Sequence, residues 1–146
     1  MSTDISDKDA QQLTISTDRD STKRANLNIL RHDLGEEILS ALNDPLTTEI
    51  MVNPDGKIFH EKFGAARRQQ IGIMPPARAD AIIRNVAAFH NDVINRHNPL
   101  LESPLPFDGS RFAGEVPNVT VQPSFTIRKP ASRVFPPAEY QALEII

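Results

Sequence analysis

The sequence predicts an α+β fold in which helices pack on one face of an antiparallel β-sheet. Three observations carry that expectation. Leu30, Leu34, Ile38 and Leu42 recur at intervals of four, which lines up one apolar stripe on a helix. Three short segments between Thr47 and Met74 alternate apolar and polar residues and are separated by Pro/Gly turns. Two further segments, 110–116 and 121–128, keep their apolar residues at a period of two.

The 146 residues fit one domain of ordinary size. Apolar content of 39% and charged content of 24% describe a globular chain somewhat poor in core formers. No run approaches the roughly 18 apolar residues of a membrane span, and Met1-Ser2-Thr3-Asp4 lacks the basic and apolar regions of a secretory signal. The chain has no cysteine, which excludes disulfides and thiolate metal sites and fits the cytoplasm. A net charge of -3 argues against a uniformly basic nucleic-acid binder.

Residues 1–26 are rich in Asp, Ser, Thr, Lys and Gln, and their few apolar residues have no period. They are expected to form a disordered tail, because such a segment buries too little surface to offset its ordering entropy. Residues 27–130 are expected to fold. The first helix runs from about Leu27 to Asn43-Asp44-Pro45, since proline disfavours helix at the residue before it. Gly35 is expected to weaken that helix modestly. A meander follows: strands over Thr47–Asn53, Lys57–Phe63 and Arg68–Met74, joined at Asn53-Pro54-Asp55-Gly56 and Gly64-Ala65-Ala66. Pro75-Pro76 opens a second helix, with Ile82, Ile83, Val86, Ala87, Val93 and Ile94 in helical period to about Arg96. Residues 98–107 read as an irregular connector, and the last two strands follow it. Residues 131–146 read as a linker and the start of a helix, with an apolar stripe beginning at Leu143 and Ile146. They suggest an N-terminal piece of something larger.

The familiar catalytic signatures are incomplete. Gly109 and Gly114 have the glycine spacing of a phosphate-binding Walker loop, but Glu115-Val116 follow in place of Lys and Ser/Thr. Gly56-Lys57 fails as well, with Met51 and Ile58 at the required glycine and hydroxyl positions. His32, His60, His90 and His97 show no metal-ligand spacing and read as ordinary surface or boundary residues.

Two arginines remain. Arg111 begins one terminal strand and Arg128 ends the other. Phe112, Gly114 and Val116 keep one parity along the first strand, and Val119, Val121, Phe125 and Ile127 keep one along the second, so pairing that puts both sets on one face leaves both arginines to the opposite, polar face. A tight hairpin at Pro117-Asn118 sets Arg111 opposite Ser124 and leaves Arg128 about 13 Å further along. A longer connection through Gln122 brings Arg111 opposite Arg128, and Pro123 favours it because proline fits poorly inside a strand pair. Directly opposed arginines repel but become favourable when a phosphate bridges them. The competing account is one arginine paired with Glu115 and the other fraying at a strand end.

The order of several motifs resembles the ring-forming ATPases of type IV secretion and conjugation systems, over about residues 30–135. These motifs are Thr48-Glu49-Ile50-Met51-Val52-Asn53-Pro54-Asp55-Gly56-Lys57, the helix from Pro76, Asn98-Pro99-Leu100-Leu101, Asp108-Gly109-Ser110-Arg111 and Phe125-Thr126-Ile127-Arg128-Lys129-Pro130. The resemblance implies a PAS-like N-terminal α+β domain, followed in full-length members by a RecA-like ATPase domain that this sequence lacks. It implies ATP and Mg²⁺ held by the full-length parent, with none bound by this chain alone. It implies Arg111 and Arg128 as contacts to a nucleotide phosphate, with Lys129 a secondary candidate and no catalytic residue within the chain. It also implies a hexameric ring, contacts with inner-membrane channel components, a cytoplasmic place peripheral to that membrane, and no sequence-specific nucleic-acid binding. The N-terminal domain of a type II secretion or pilus-motor ATPase, and a non-enzymatic adaptor docking on a secretion channel, are the alternatives.

Overall fold

The computed structural model describes residues 7–117 and 121–130, with side chains from residue 21 onward. The sequence reading of 131–146 lies outside the described residues. The elements are α1 (Asp7–Asn43), β1 (Thr47–Val52), β2 (Lys57–Lys62), β3 (Gln69–Ile73), α2 (Pro76–Phe89), β4 (Leu100–Pro104), β5 (Arg111–Glu115) and β6 (Ser124–Arg128). The strands form one six-stranded sheet in the order β3-β2-β1-β6-β5-β4, antiparallel at every pairing. The expected α+β architecture is therefore present, with no parallel RecA-like sheet among the described residues.

Alternation along the strands decides which face meets the helices. Ile50, Val52, Ile58, Phe112, Gly114, Phe125 and Ile127 are buried on one side, against Leu30, Leu34 and Ile38 of α1 and Ile82, Ile83 and Val86 of α2. Phe112 and Phe125 stack at 5.1 Å between ring centroids. Gly114 lies directly opposite Phe125 in the register. A Cβ there would lie 3.0 Å from Ile83, so the missing side chain is what lets α2 press onto β5.

Five expectations need correction. Residues 7–26, expected to be a disordered tail, are helical from Asp7 onward. Helix extension adds a backbone hydrogen bond for each residue it fixes once a later turn is anchored, and Leu30 and Leu34 provide the anchor. The stretch is also tied to α2: Asn85 donates to the Asn26 carbonyl at 3.4 Å, and the Lys23 ammonium lies 5.8 Å from the Phe89 ring centroid.

Helix α1 is interrupted at Gly35 (φ 81°, ψ 169°), a sharper effect than the modest weakening expected. Arg78, from the first turn of α2, donates to the freed Asp33 carbonyl and fills the space a Cβ on Gly35 would take.

Helix α2 ends at Phe89 rather than near Arg96, because Asn91 takes a left-handed backbone (φ 58°). Asparagine tolerates that conformation better than most residues and commonly closes helices this way.

The connector over 98–107 contains a strand. β4 pairs with β5 from Leu100↔Glu115 to Pro104↔Arg111. The prolines obscured it, yet Pro104 sits at the end of an edge strand, where a missing N–H costs little. Val121 likewise leaves the apolar face assigned to it: it is 87% exposed, since β6 begins only at Ser124.

Candidate functional site

The longer connection between the last two strands sets the site. β5 and β6 pair with Phe112↔Ile127 and Gly114↔Phe125, and this register places Arg111 directly opposite Arg128. Both arginines are exposed on the face that carries no helix. Arg111 follows a tight loop in which Gly109 N–H donates to the Leu105 carbonyl, and Leu105 N–H to the Ser110 carbonyl at 2.7 Å. The Asp108 carboxylate accepts from Ser110 N–H at 2.9 Å, which fixes the chain just before the arginine. Together with Glu102, Ser103, Pro104 and Gly109, Arg111 lines a shallow groove at the β4 edge.

The row continues across the sheet. Glu49 of β1 lies beside Arg128, and Glu61 of β2 lies beside Glu49. Arg128 Nη2 approaches Glu49 Oε1 at 3.5 Å, and Arg68 Nη2 approaches Glu61 Oε1 at 3.3 Å. The charges along this row thus read Arg111, Arg128, Glu49, Glu61, Arg68. Each acid has one arginine. Among the described residues, no acid forms an ion pair with Arg111. Sequence reasoning anticipated Glu115 as a competing partner and missed Glu49, because the β1–β6 neighbourhood is a long-range pairing that local pattern does not show.

Lys129 is not brought to this face. It follows Arg128 by one residue, so alternation turns it to the other side, where it is 7% exposed. Its Nζ donates to the Asp44 carbonyl at 2.7 Å, just past the end of α1, and its backbone N–H donates to the Thr48 carbonyl. Asp44 is a junction of three elements. Its carboxylate meets Lys62 Nζ at 2.8 Å and accepts from Leu46 N–H at 2.9 Å.

The Lys62 hydrogen bond, foremost, and the Leu46 N–H hold the Asp44 carboxyl below its ordinary value of 3.8. A depressed carboxylate pKa adds stability that is present above the unfolded value and is lost as pH falls through the folded one. Asp44→Asn, which keeps an oxygen for Leu46, should therefore cost about 0.5–1 kcal/mol at pH 7, with the partial exposure of the pair discounted. The difference from wild type should shrink as the pH falls from 7 to below the ordinary carboxylate value of 3.8 and through the lowered folded one. Urea unfolding at both pH values measures this, and an equal loss at the two would remove the charge from the account.

The histidines are dispersed. His60 Nε2 pairs with Gln69 Oε1 at 3.1 Å on the packed side of β2, and His90 Nε2 with the Pro104 carbonyl at 2.7 Å. Among the described residues, no three His, Cys, Asp or Glu side chains are grouped to hold a metal ion. No helix among the described residues is long and apolar enough to cross a membrane.

Comparison with known proteins adds the family. The chain is 40% identical over 111 residues to a probable conjugal transfer protein TrbB of Sinorhizobium fredii, covering 76% of this chain and 34% of that protein. It is 36% identical over 117 residues to the conjugal transfer protein TrbB of Rhizobium radiobacter, covering 80% of this chain and 36% of that one. The chain is TrbB-like. It spans about a third of the length of these TrbB relatives. No protein-family model matches it. Among solved structures, the VirB11 ATPase of the Brucella suis type IV secretion system, crystallised with sulphate, superposes with a TM-score of 0.69 at 23% identity. The match covers 86% of the TrbB-like chain and 38% of VirB11, and it establishes a shared fold.

Proposed function

We propose that this chain is the N-terminal, nucleotide-edge domain of a conjugal transfer ATPase, with Arg111 and Arg128 directed at a phosphate held mainly by a RecA-like domain. The observation that supports this most is the cross-strand apposition of the two arginines on the open face of the sheet. Two like charges side by side cost energy in a bare sheet, and a phosphate between them turns that cost into paired, charge-assisted hydrogen bonds. In this reading ATP and Mg²⁺ belong to the full-length parent. The partners are other copies in a hexameric ring, the RecA-like domain and inner-membrane channel components, at the cytoplasmic side of that membrane. In this reading the groups that activate water and position Mg²⁺ come from the remainder of the parent, on which turnover depends.

The test is a fusion. Residues 1–130 replace the matching segment of the Rhizobium radiobacter TrbB, and conjugal transfer is measured in a strain lacking its own copy. The fusion should restore transfer, and Arg111→Ala/Arg128→Ala in the same fusion should not. A folded fusion that transfers equally well with and without both arginines would favour the adaptor reading and defeat this one.

A further inference from the structure

We infer that Glu49 is a built-in competitor for the anion, holding Arg128 until a highly charged phosphate displaces it. The inference rests on the phosphate reading of the arginine pair and deepens it. Its basis is the register: Glu49 stands beside Arg128 on one side as Arg111 does on the other. Arg128 therefore has a choice of two directions, toward the Glu49 carboxylate or toward a ligand shared with Arg111.

The contact with Glu49 is suited to being given up. It is a single approach at 3.5 Å, with the arginine side chain 66% exposed and the glutamate 20%. Pairs of this kind are worth little in water. The carboxylate is also crowded, because Glu61 is its neighbour on the far side and the two acids repel. Arg68 relieves Glu61 at 3.3 Å, which leaves Arg128 as the counter-ion for Glu49 among the described residues. Losing Arg128 to a phosphate returns Glu49 to that repulsion.

The consequence is selectivity by charge. A monoanion gains one favourable contact with Arg111 but offers Arg128 no more than Glu49 already does. A pyrophosphate or triphosphate end bridges both arginines and outweighs the carboxylate. Glu49 thereby keeps the pair neutralised against weak anions and sets a threshold for strong ones. It acts through Arg128 and touches no ligand itself.

The experiment is a titration of the 146-residue chain with inorganic pyrophosphate, followed by NMR of the backbone amides and arginine Nε–H groups. Glu49→Gln should bind pyrophosphate about five- to ten-fold more tightly, because it removes a negative charge beside the anion. Glu49→Asp, which keeps the charge, should stay near wild type. Arg111→Ala should abolish binding in both backgrounds. The melting temperature of Glu49→Gln should stay within about 3 °C of wild type, since the pair is a weak surface one. If Arg111→Ala weakens binding while Glu49→Gln leaves it unchanged or lowers it, the competitor role is overturned and the phosphate reading survives. If Arg111→Ala and Arg128→Ala leave binding untouched, or if no variant binds at 10-fold excess over millimolar protein, both fall. Tightening in Glu49→Gln that Glu49→Asp shares would also overturn the inference, because charge would then not be the cause.

Discussion

Gly35→Ala is expected to destabilise the chain by about 3 kcal/mol, out of a total that for a single domain is about 5–15 kcal/mol. Two costs combine. The backbone at this position (φ 81°, ψ 169°) lies in a region that essentially only glycine occupies, and forcing another residue there costs about 1–3 kcal/mol. The new methyl also enters the space of the Arg78 guanidinium, which donates to the Asp33 carbonyl. Displacing it leaves that carbonyl short of a partner where α1 has been interrupted. Hydrogen bonds from charged donors contribute about 1.5–3 kcal/mol, of which a mobile arginine recovers part. Urea unfolding of the variant measures the sum. Arg78→Met serves as the companion, removing the donor without touching the glycine, and should cost about half as much. A loss below about 0.5 kcal/mol in Gly35→Ala would mean that the two halves of α1 rejoin without strain, and the break would lose its structural meaning.

The reasons some of this was legible in the sequence and some was not are local. Strand parity is a property of consecutive residues, so Phe112, Phe125 and Ile127 announced their buried face and Arg111 and Arg128 theirs. The turn at Pro54-Asp55-Gly56 and the proline opening of α2 are equally local, and both are present. Pro123 even discriminated between the two registers, because the unpaired stretch it demanded is what aligns the arginines. What escaped depended on distant partners. β4 is a strand because β5 offers it an edge, and its own sequence, bracketed by prolines, reads as loop. The break at Gly35 is set by Arg78, forty-three positions away, which no helical periodicity reveals. Lys129 is a secondary candidate only through the family resemblance, and the parity used for the arginines sends it to the opposite side. Glu49 is one residue of a strand motif in the sequence, and its place beside Arg128 follows only from the long-range pairing of β1 with β6.

If the chain is the proposed nucleotide-edge domain of an ATPase, Arg128→Ala in the TrbB fusion should lower ATP turnover by about 10²–10³-fold while the domain stays folded. The magnitude follows from what a preorganised donor contributes when charge develops on the transferred phosphoryl group. The fold should survive because the side chain is exposed and its one described ion pair, to Glu49, is a surface one worth at most about 1 kcal/mol. Arg111→Ala should act in the same direction, and the double variant should lose less than the product of the two, since both arginines would serve one phosphate. Lys129→Ala provides the contrast. It removes a buried donor from the Asp44 carbonyl, so it should reduce stability and leave the turnover of the folded fraction near wild type. The four proteins together separate charge stabilisation from packing by measuring turnover per folded molecule alongside unfolding midpoints. Turnover that falls with Lys129→Ala but holds with Arg128→Ala would assign the phosphate to the wrong side of β6 and move the site to the helix-covered face.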